Sequence, residues 1–190
     1  MSQAYESIST TIRERRSIRQ FLSDPIPHEV VLELLDTAAW APFHSVKEPW
    51  RFIMFTGEGR KQFSDAVLST YTQERKQQFG EQVAQAYCHQ VPVHLIVCME
   101  EDPRPKQWEE ALSAVSALIQ NLQLLAWERK IGVVWKTNDY NWDPRFRESV
   151  GIKPGQKVVG TLHMGYFDPS IDRMAKPRTP AAELLTLIDH

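Results

Sequence analysis

Near its N-terminus the chain reads Arg15-Arg16-Ser17-Ile18-Arg19-Gln20-Phe21, an arginine-rich stretch that gathers guanidinium groups around a hydroxyl. It stands at the end of a segment from Ser7 to Arg16 whose pattern predicts a helix, with Ile8 and Ile12 on one face. Guanidinium forks and a serine hydroxyl are groups that bind phosphate. Solvated basic helix faces are also common, so taken alone the stretch leaves anion binding and a solvated surface both open.

The rest of the chain alternates between helix and strand patterns, which predicts an α+β fold. After Pro25 and Pro27, apolar residues recur at the helical period up to about Ala39. Four apolar segments are predicted to be strands of one sheet, at residues 50–56, 93–99, 131–135 and 157–166. The second of these is apolar almost throughout, so we expect it to be buried on both faces.

Size, charge and cysteine content restrict the class of protein. With 190 residues, one domain over residues 1–190 is expected, with a C-terminal arm from about residue 167. The formal net charge of -2 argues against nonspecific nucleic-acid binding. The first residues lack the pattern of a signal peptide, and Cys88 and Cys98 are too few for a disulfide scaffold. We therefore expect a cytoplasmic protein with reduced thiols.

The segment from Ala111 to Trp127 contains no charged residue. A helix that is apolar nearly all round is buried, either in a core or in an interface. A membrane span is the competing interpretation, which three amide side chains and the marginal length disfavour. Because a chain of this size has difficulty covering such a helix on all sides, the segment favours an obligate dimer. The segment is the candidate interface, and Leu118 in its middle is expected to be buried in either the core or the interface.

Three other patterns suggest sites but fit ordinary structure better. Gly57-Glu58-Gly59 follows a predicted strand, as a dinucleotide-binding loop would, but the third glycine and the acidic residue of that motif are missing. The spacing of Cys88, His89, His94 and Cys98 matches no standard zinc site, and the last two stand in an apolar strand. The sequence also lacks a Gly-x-Ser-x-Gly nucleophile motif. We therefore predict no Rossmann site, no metal site and no serine hydrolase.

Further stretches follow the arginine-rich one in a fixed order. They are Ala41-Pro42-Phe43-His44, Glu48-Pro49-Trp50-Arg51-Phe52, Gly132-Val133-Val134-Trp135-Lys136-Thr137, Val159-Gly160-Thr161-Leu162-His163-Met164-Gly165-Tyr166 and Lys176-Pro177-Arg178-Thr179-Pro180. The ordered set, which spans nearly the whole chain, resembles the nitroreductase family of FMN-dependent oxidoreductases. That resemblance implies a nitroreductase-like fold, with a central, mainly antiparallel sheet of four to five strands flanked by helices. It also implies an intertwined homodimer with a flavin site shared between the two chains.

The resemblance implies which residues would contact FMN. Arg15 and Ser17 match positions that hold the phosphate and the ribityl chain, with Arg16 between them. Arg19 matches a cation beside the pyrimidine edge of the flavin, where it would stabilise negative charge on reduction. His44 matches a histidine that approaches the flavin from the partner chain. The resemblance implies ring and phosphate contacts at the end of a strand, by Trp135, Lys136 and Thr137. Arg178 matches a C-terminal arginine that reaches the phosphate in many members and that some compact relatives lack.

Two positions depart from the pattern of many family members, which carry N-x-Q-P-W. Val46 and Glu48 stand where those members have an asparagine and a glutamine. The contacts that these amides make with the substrate and with the ring edge are therefore open in this chain.

The function that the resemblance implies is FMN-dependent transfer of hydride from NAD(P)H to a small acceptor, of nitroaromatic or quinone type, with ping-pong kinetics. Because the cofactor carries the redox chemistry, no catalytic residue is predicted. Two alternatives remain open. One is an FMN-binding or storage protein on the same fold without efficient turnover, and the other is a non-enzymatic interaction module whose arginines meet an acidic partner. No nucleic-acid or membrane partner is expected.

Overall fold

The computed structural model describes residues 8–171 and 174–189, so the predicted helix start at Ser7 lies outside the described residues. The α-helices of the described chain are α1 (Ile8–Glu14), α2 (His28–Ala38), α3 (Gly59–Ser69), α4 (Gln73–Gln85), α5 (Pro105–Glu128) and α6 (Pro144–Ser149). The strands are β1 (Trp50–Phe55), β2 (Val93–Glu100), β3 (Ile131–Lys136) and β4 (Gln156–Tyr166). A π-helical turn occupies Ala86–Gln90, and short 3-10 turns occupy Asp139–Trp142 and Ala181–Glu183.

The strands form one antiparallel sheet in the order β1-β2-β4-β3, which confirms the predicted α+β fold with its antiparallel sheet. β2 is buried along nearly its whole length, as its apolar sequence indicated. The chain after α1 continues along the β3 edge, where Ser17 and Val133 form a short parallel bridge. Ile18 N–H donates to Val133 O at 3.2 Å, and Leu22 N–H donates to Tyr166 O at 2.8 Å. These bonds fix the arginine-rich stretch beside β3.

Two glycines of the sheet let this stretch approach very closely. A Cβ atom added at Gly132 would lie 2.5 Å from Ile18 Cβ, and one added at Gly165 would lie 2.6 Å from Phe21 Cβ. Both separations are far below van der Waals contact, so a larger residue at either position would push the stretch away from the sheet. The glycines therefore set how closely the arginine-rich stretch docks.

Helices cover both faces of the sheet. α2 and α5 pack on one face, where α5 contributes the fully buried Val115, Leu118 and Leu122 to the core. α3 and α6 pack on the other face, around the fully buried Phe63 and Phe146. The sheet therefore separates an α5 side from an α3 side, and each side contains its own apolar core.

The charge-free part of α5 is buried by its own chain on one side only. Leu118 has no exposed surface, so of the two predicted locations, core or interface, it occupies the core. Ser113 is exposed and Ala117 is half-buried, which places them on another side of the helix. Within residues 8–171 and 174–189, α5 and the other helices are too short or too polar to cross a membrane.

The chain after β4 leaves the body of the fold along its surface. Phe167 is buried and stacks on Trp127, with ring centroids 4.8 Å apart. The described residues 174–189 are exposed. Large apolar side chains are exposed in this arm and on α1, namely Leu184, Leu185, Leu187, Ile188, Ile8 and Ile12. Exposed apolar residues in such number are typical of a surface that contacts another protein.

Candidate functional site

Arg15 follows α1 and reaches toward the charge-free part of α5. Its Nη1 donates to Oε1 of Gln123 at 3.4 Å, and Gln123 is only 5 % exposed. Arg15 Nε is buried and has no hydrogen-bond partner within the described part of the chain. A guanidinium offers five N–H donors and no acceptor, so a buried donor without a partner indicates a place for an acceptor that the chain itself does not supply.

Other arginines increase the positive charge around Arg15. Arg16 Nη1 donates to the carbonyl oxygens of Arg13 at 2.6 Å and of Arg15 at 2.9 Å. Burial, followed by the charges of Arg16 and Arg178, lowers the pKa of Arg15. None of the ion pairs between described residues involves Arg15. Burial and like charges, rather than a carboxylate, therefore dominate its surroundings.

Ser17 and Arg19 continue this positive surface along the edge of the sheet. Both residues are exposed, whereas Ile18 between them is 1 % exposed and packs against Gly132. Alternate side chains of an extended segment point the same way, so burial of Ile18 turns Ser17 and Arg19 outward together.

The end of β3 lies near Ser17, because Ser17 is bridged to Val133. Two residues later, the Trp135 indole lies directly on Gly160. Its Nε1–H donates to Val159 O at 3.2 Å. Trp135 is half-buried, so it presents part of its ring to the surface while its N–H is bonded to the sheet.

Lys136 and Thr137 end this strand region. Lys136 is half-buried, and Thr137 is exposed. The charge of Lys136 is one of the influences that lower the pKa of His163, after burial and His94. The structure brings the charges of Arg16 and Arg178 to Arg15 and places Ser17, which Arg19 follows, beside β3. Trp135, Lys136 and Thr137 stand at the end of that strand.

His44 is not part of this group within one chain. Its side chain is 71 % exposed, and its Nε2 lies 3.6 Å from Oε2 of Glu110 in the first half of α5. Gln123, the contact of Arg15, lies more than three turns further along the same helix, which is about 20 Å. His44 borders a cleft of about 620 Å³ next to α5. Within one chain, His44 and Arg15 therefore lie against different parts of α5 and do not meet.

The two positions that depart from the family pattern lie near His44. Val46 has a fully exposed side chain, and Glu48 is also exposed. Neither side chain contributes to the group around Arg15. Gln123, by contrast, contacts Arg15 but was not among the predicted site residues. The signal that could have indicated it is a single amide at helical spacing among apolar residues, which a sequence cannot distinguish from an ordinary polar position.

A second group of titratable residues lies on the α3 side of the sheet. His94 Nε2 lies 2.9 Å from Tyr87 O, and it must donate because a carbonyl only accepts. Nδ1 of neutral His94 then accepts from Nδ1 of His163, which is 2.8 Å away. Burial lowers the pKa of His94 to about 4, and burial followed by the charges of His94 and Lys136 holds that of His163 well below its ordinary value. The pair is therefore neutral, and both histidines are buried in the core.

The same region carries no sign of a metal centre. Burial raises the pKa of the Cys98 thiol to about 12, which makes it unreactive. Within the ranges that the structure describes, no three His, Cys, Asp or Glu side chains come together in a way that could hold a metal ion.

Known proteins of similar sequence and structure identify the family of this chain. The model of the nitroreductase family matches residues 12–166. YfhC of Bacillus subtilis (strain 168), provisionally named an NAD(P)H nitroreductase, is 36% identical over 178 residues, 92% of this chain and 91% of that protein. The crystal structure of a nitroreductase-like family protein from Bacillus cereus is 41% identical, with a TM-score of 0.94 over 100% of both chains. A Desulfovibrio desulfuricans protein in complex with FMN shares the fold, at a TM-score of 0.71 and 22% identity over 96% of each chain. This chain belongs to the nitroreductase family.

Proposed function

We propose that this protein is an FMN-dependent oxidoreductase that takes hydride from NAD(P)H and reduces a small nitroaromatic or quinone acceptor by ping-pong kinetics. Family membership supports both cofactors, because the relatives include a protein named as an NAD(P)H nitroreductase and a protein solved with FMN. FMN, when bound, supplies the redox chemistry by accepting hydride and passing electrons to the acceptor. The residues of the chain then have to bind and orient the cofactor and balance its negative charge.

The observation that carries this proposal is the buried Nε of Arg15, which has no partner among the described residues. A phosphate has three strong acceptor oxygens and would satisfy this donor while compensating the positive charge of Arg15, Arg16 and Arg178. The Ser17 hydroxyl on the same stretch, and Lys136 at the end of β3, would hold the remaining oxygens and the ribityl chain. The residues present therefore fit the phosphate end of FMN.

The remaining site residues would act on the isoalloxazine ring. Arg19 would place a fixed cation beside its pyrimidine edge and stabilise the negative charge that accumulates there on reduction. Trp135 would offer its ring surface, because its N–H is bonded to Val159 O. Thr137 would add a hydroxyl at the end of β3. None of these side chains is needed as an acid or base, so we assign no catalytic residue.

We also propose a homodimer in which each flavin site uses both subunits. His44 and Arg15 contact α5 at positions about 20 Å apart, so one chain cannot bring both residues to the same ring. A partner in antiparallel orientation would supply the partner's His44 to the site that Arg15 begins. The exposed apolar residues of α1 and of the C-terminal arm agree with a covering partner. Each subunit is proposed to be one domain, located in the cytoplasm.

The experiment that tests the redox function is a spectrum of the purified protein followed by anaerobic titration. We expect a flavin absorbance that NADH or NADPH bleaches and that a nitroaromatic or quinone acceptor restores. A yellow protein that neither nicotinamide reduces would instead be an FMN-binding or storage protein. A colourless protein that takes up no added FMN would contradict the proposal and favour an interaction module.

The shared site is tested by two neighbouring substitutions on α5. Ala117→Glu places a carboxylate on the half-buried side of the helix, and we expect a folded subunit with less dimer and less FMN. Leu118→Glu is the control, because a carboxylate in the core costs several kcal/mol and should unfold the subunit. Size-exclusion chromatography and circular dichroism separate the two results. A folded monomeric Ala117→Glu protein with stoichiometric, reducible FMN would refute the shared site.

A further inference from the structure

The uncharged amide of Gln123 accepts a hydrogen bond from the half-buried guanidinium of Arg15. Gln123 lies on the buried side of α5 next to Leu122 and one turn after Ile119, both of which are fully buried. Its Oε1 accepts from Arg15 Nη1 at 3.4 Å. No charged residue occurs between Ala111 and Trp127. The part of α5 that Arg15 contacts therefore carries no charge.

An amide is an unusual partner for an arginine that is partly removed from water. Shielded guanidinium groups are ordinarily paired with carboxylates, since a buried charge is costly unless it is compensated. Glutamate has nearly the size and the helix propensity of glutamine and would form a stronger, charge-assisted bond with Arg15. Such a carboxylate would also neutralise the arginine. An amide, in contrast, orients the guanidinium and leaves its charge in place.

We propose that Gln123 is a positioning residue for the FMN phosphate, which holds Arg15 in the orientation that directs its unpartnered Nε–H at the phosphate without neutralising the arginine. The inference rests on the proposed function. In this arrangement Gln123 does not touch the cofactor and acts through Arg15 alone. The absence of charge from Ala111 to Trp127 then serves the anion site as well as the core.

The test compares FMN with riboflavin, which lacks the phosphate, on flavin-free protein. Gln123→Glu should weaken FMN binding about ten- to a hundredfold, because a carboxylate now competes with the phosphate for Arg15. Riboflavin affinity should stay within about twofold, since no charged partner of Arg15 is present on that ligand. The salt dependence of FMN binding should also become flatter in the variant, because it neutralises one of the cations that attract the phosphate.

Gln123→Met is the matched control, since it keeps the size of the side chain and removes the acceptor without adding charge. We expect a smaller loss of FMN affinity, about two- to tenfold, again with little change for riboflavin. Unchanged FMN affinity in Gln123→Glu, or an equal loss for both flavins, would overturn the inference. If Gln123→Glu does not fold, unchanged FMN affinity in Gln123→Met would overturn it. A wild-type protein that binds no FMN contradicts the proposed function instead, before any variant is made.

Discussion

The two sides of the sheet each shield basic side chains from water, and these side chains respond in opposite ways. On the α3 side, His94 and His163 hydrogen-bond to each other at 2.8 Å, and burial keeps the pKa of both low enough for them to be neutral. On the α5 side, burial also lowers the pKa of Arg15, but a guanidinium does not lose its proton in a protein. Arg15 therefore stays charged, with a buried donor and no partner for it among the described residues.

This difference distinguishes a structural cluster from a binding site. A basic side chain that can lose its proton can be buried in the core without a charge, as His94 and His163 are. A base that cannot do so needs an anion, and the chain places no carboxylate next to Arg15 on α5. For that reason the unpartnered donor of Arg15 indicates a ligand, whereas the histidines indicate packing.

Phe63→Ala should have the largest effect, and only on stability. Phe63 is fully buried on the α3 side and stacks on His94, with ring centroids 4.1 Å apart. Truncation to alanine leaves a cavity and should lower the free energy of unfolding by about 3–5 kcal/mol. Urea denaturation measures this loss, with Phe63→Leu as a milder control. FMN affinity of the folded fraction should not change, and a large loss of affinity would show that the two sides are coupled.

Acid should destabilise the protein through the histidine pair. Below pH 6.5 the unfolded chain binds protons on both histidines, whereas folded His94 does not until about pH 4. Stability is therefore lost as the pH falls from about 6.5 to about 4, by about 1.4 kcal/mol per pH unit for His94. His163, whose pKa burial also holds low, changes stability in the same direction. Urea denaturation at a series of pH values measures the slope. His94→Gln should make this slope shallower, and an identical slope in that variant would contradict the assignment.

Arg15→Ala should act on the cofactor and not on the fold. Loss of a charge-assisted hydrogen bond to phosphate should weaken FMN binding by about 1.5–3 kcal/mol, or one to two decades in affinity. The flavin-free variant should be as stable as the wild type, because Arg15 has no ionic partner among the described residues. Dialysis followed by flavin absorbance gives the affinity, and Arg15→Lys separates charge from geometry. Unchanged FMN occupancy after extensive dialysis would count against the site.

Arg178→Ala should have the smallest effect. Arg178 is exposed on the C-terminal arm, and its charge influences Arg15 from a distance. Its removal should weaken FMN binding by about 0.2–1 kcal/mol at low salt, and the difference should vanish as salt screens exposed charges. Titrations with FMN at two ionic strengths measure this difference. A loss as large as that in Arg15→Ala would mean that the arm closes over the phosphate.

Local signals made most of the fold predictable from the sequence. The strands and α2 show their burial as apolar runs or as a helical period, which are properties of neighbouring residues. Each side of the sheet also depends on a pair of residues that are far apart in the chain. These pairs are Arg15 with Gln123 and His94 with His163. A single sequence contains no information on which distant residues meet. In the same way, the charge-free segment of α5 indicated burial but could not show that Leu118 faces the core.

The docking of the arginine-rich stretch on Gly132 and Gly165 has a consequence for the order in which the molecule is assembled. The arginines are synthesised early, but the strands that position them belong to the far half of the chain, and contacts over such separations form slowly. The amide hydrogens of Ile18 and Leu22, which are bonded to Val133 O and Tyr166 O, can exchange with solvent only when the stretch detaches. A chain that stops before β4 would therefore contain most of the cations, but it would lack Gly165 and Tyr166 and the strand that pairs with β3.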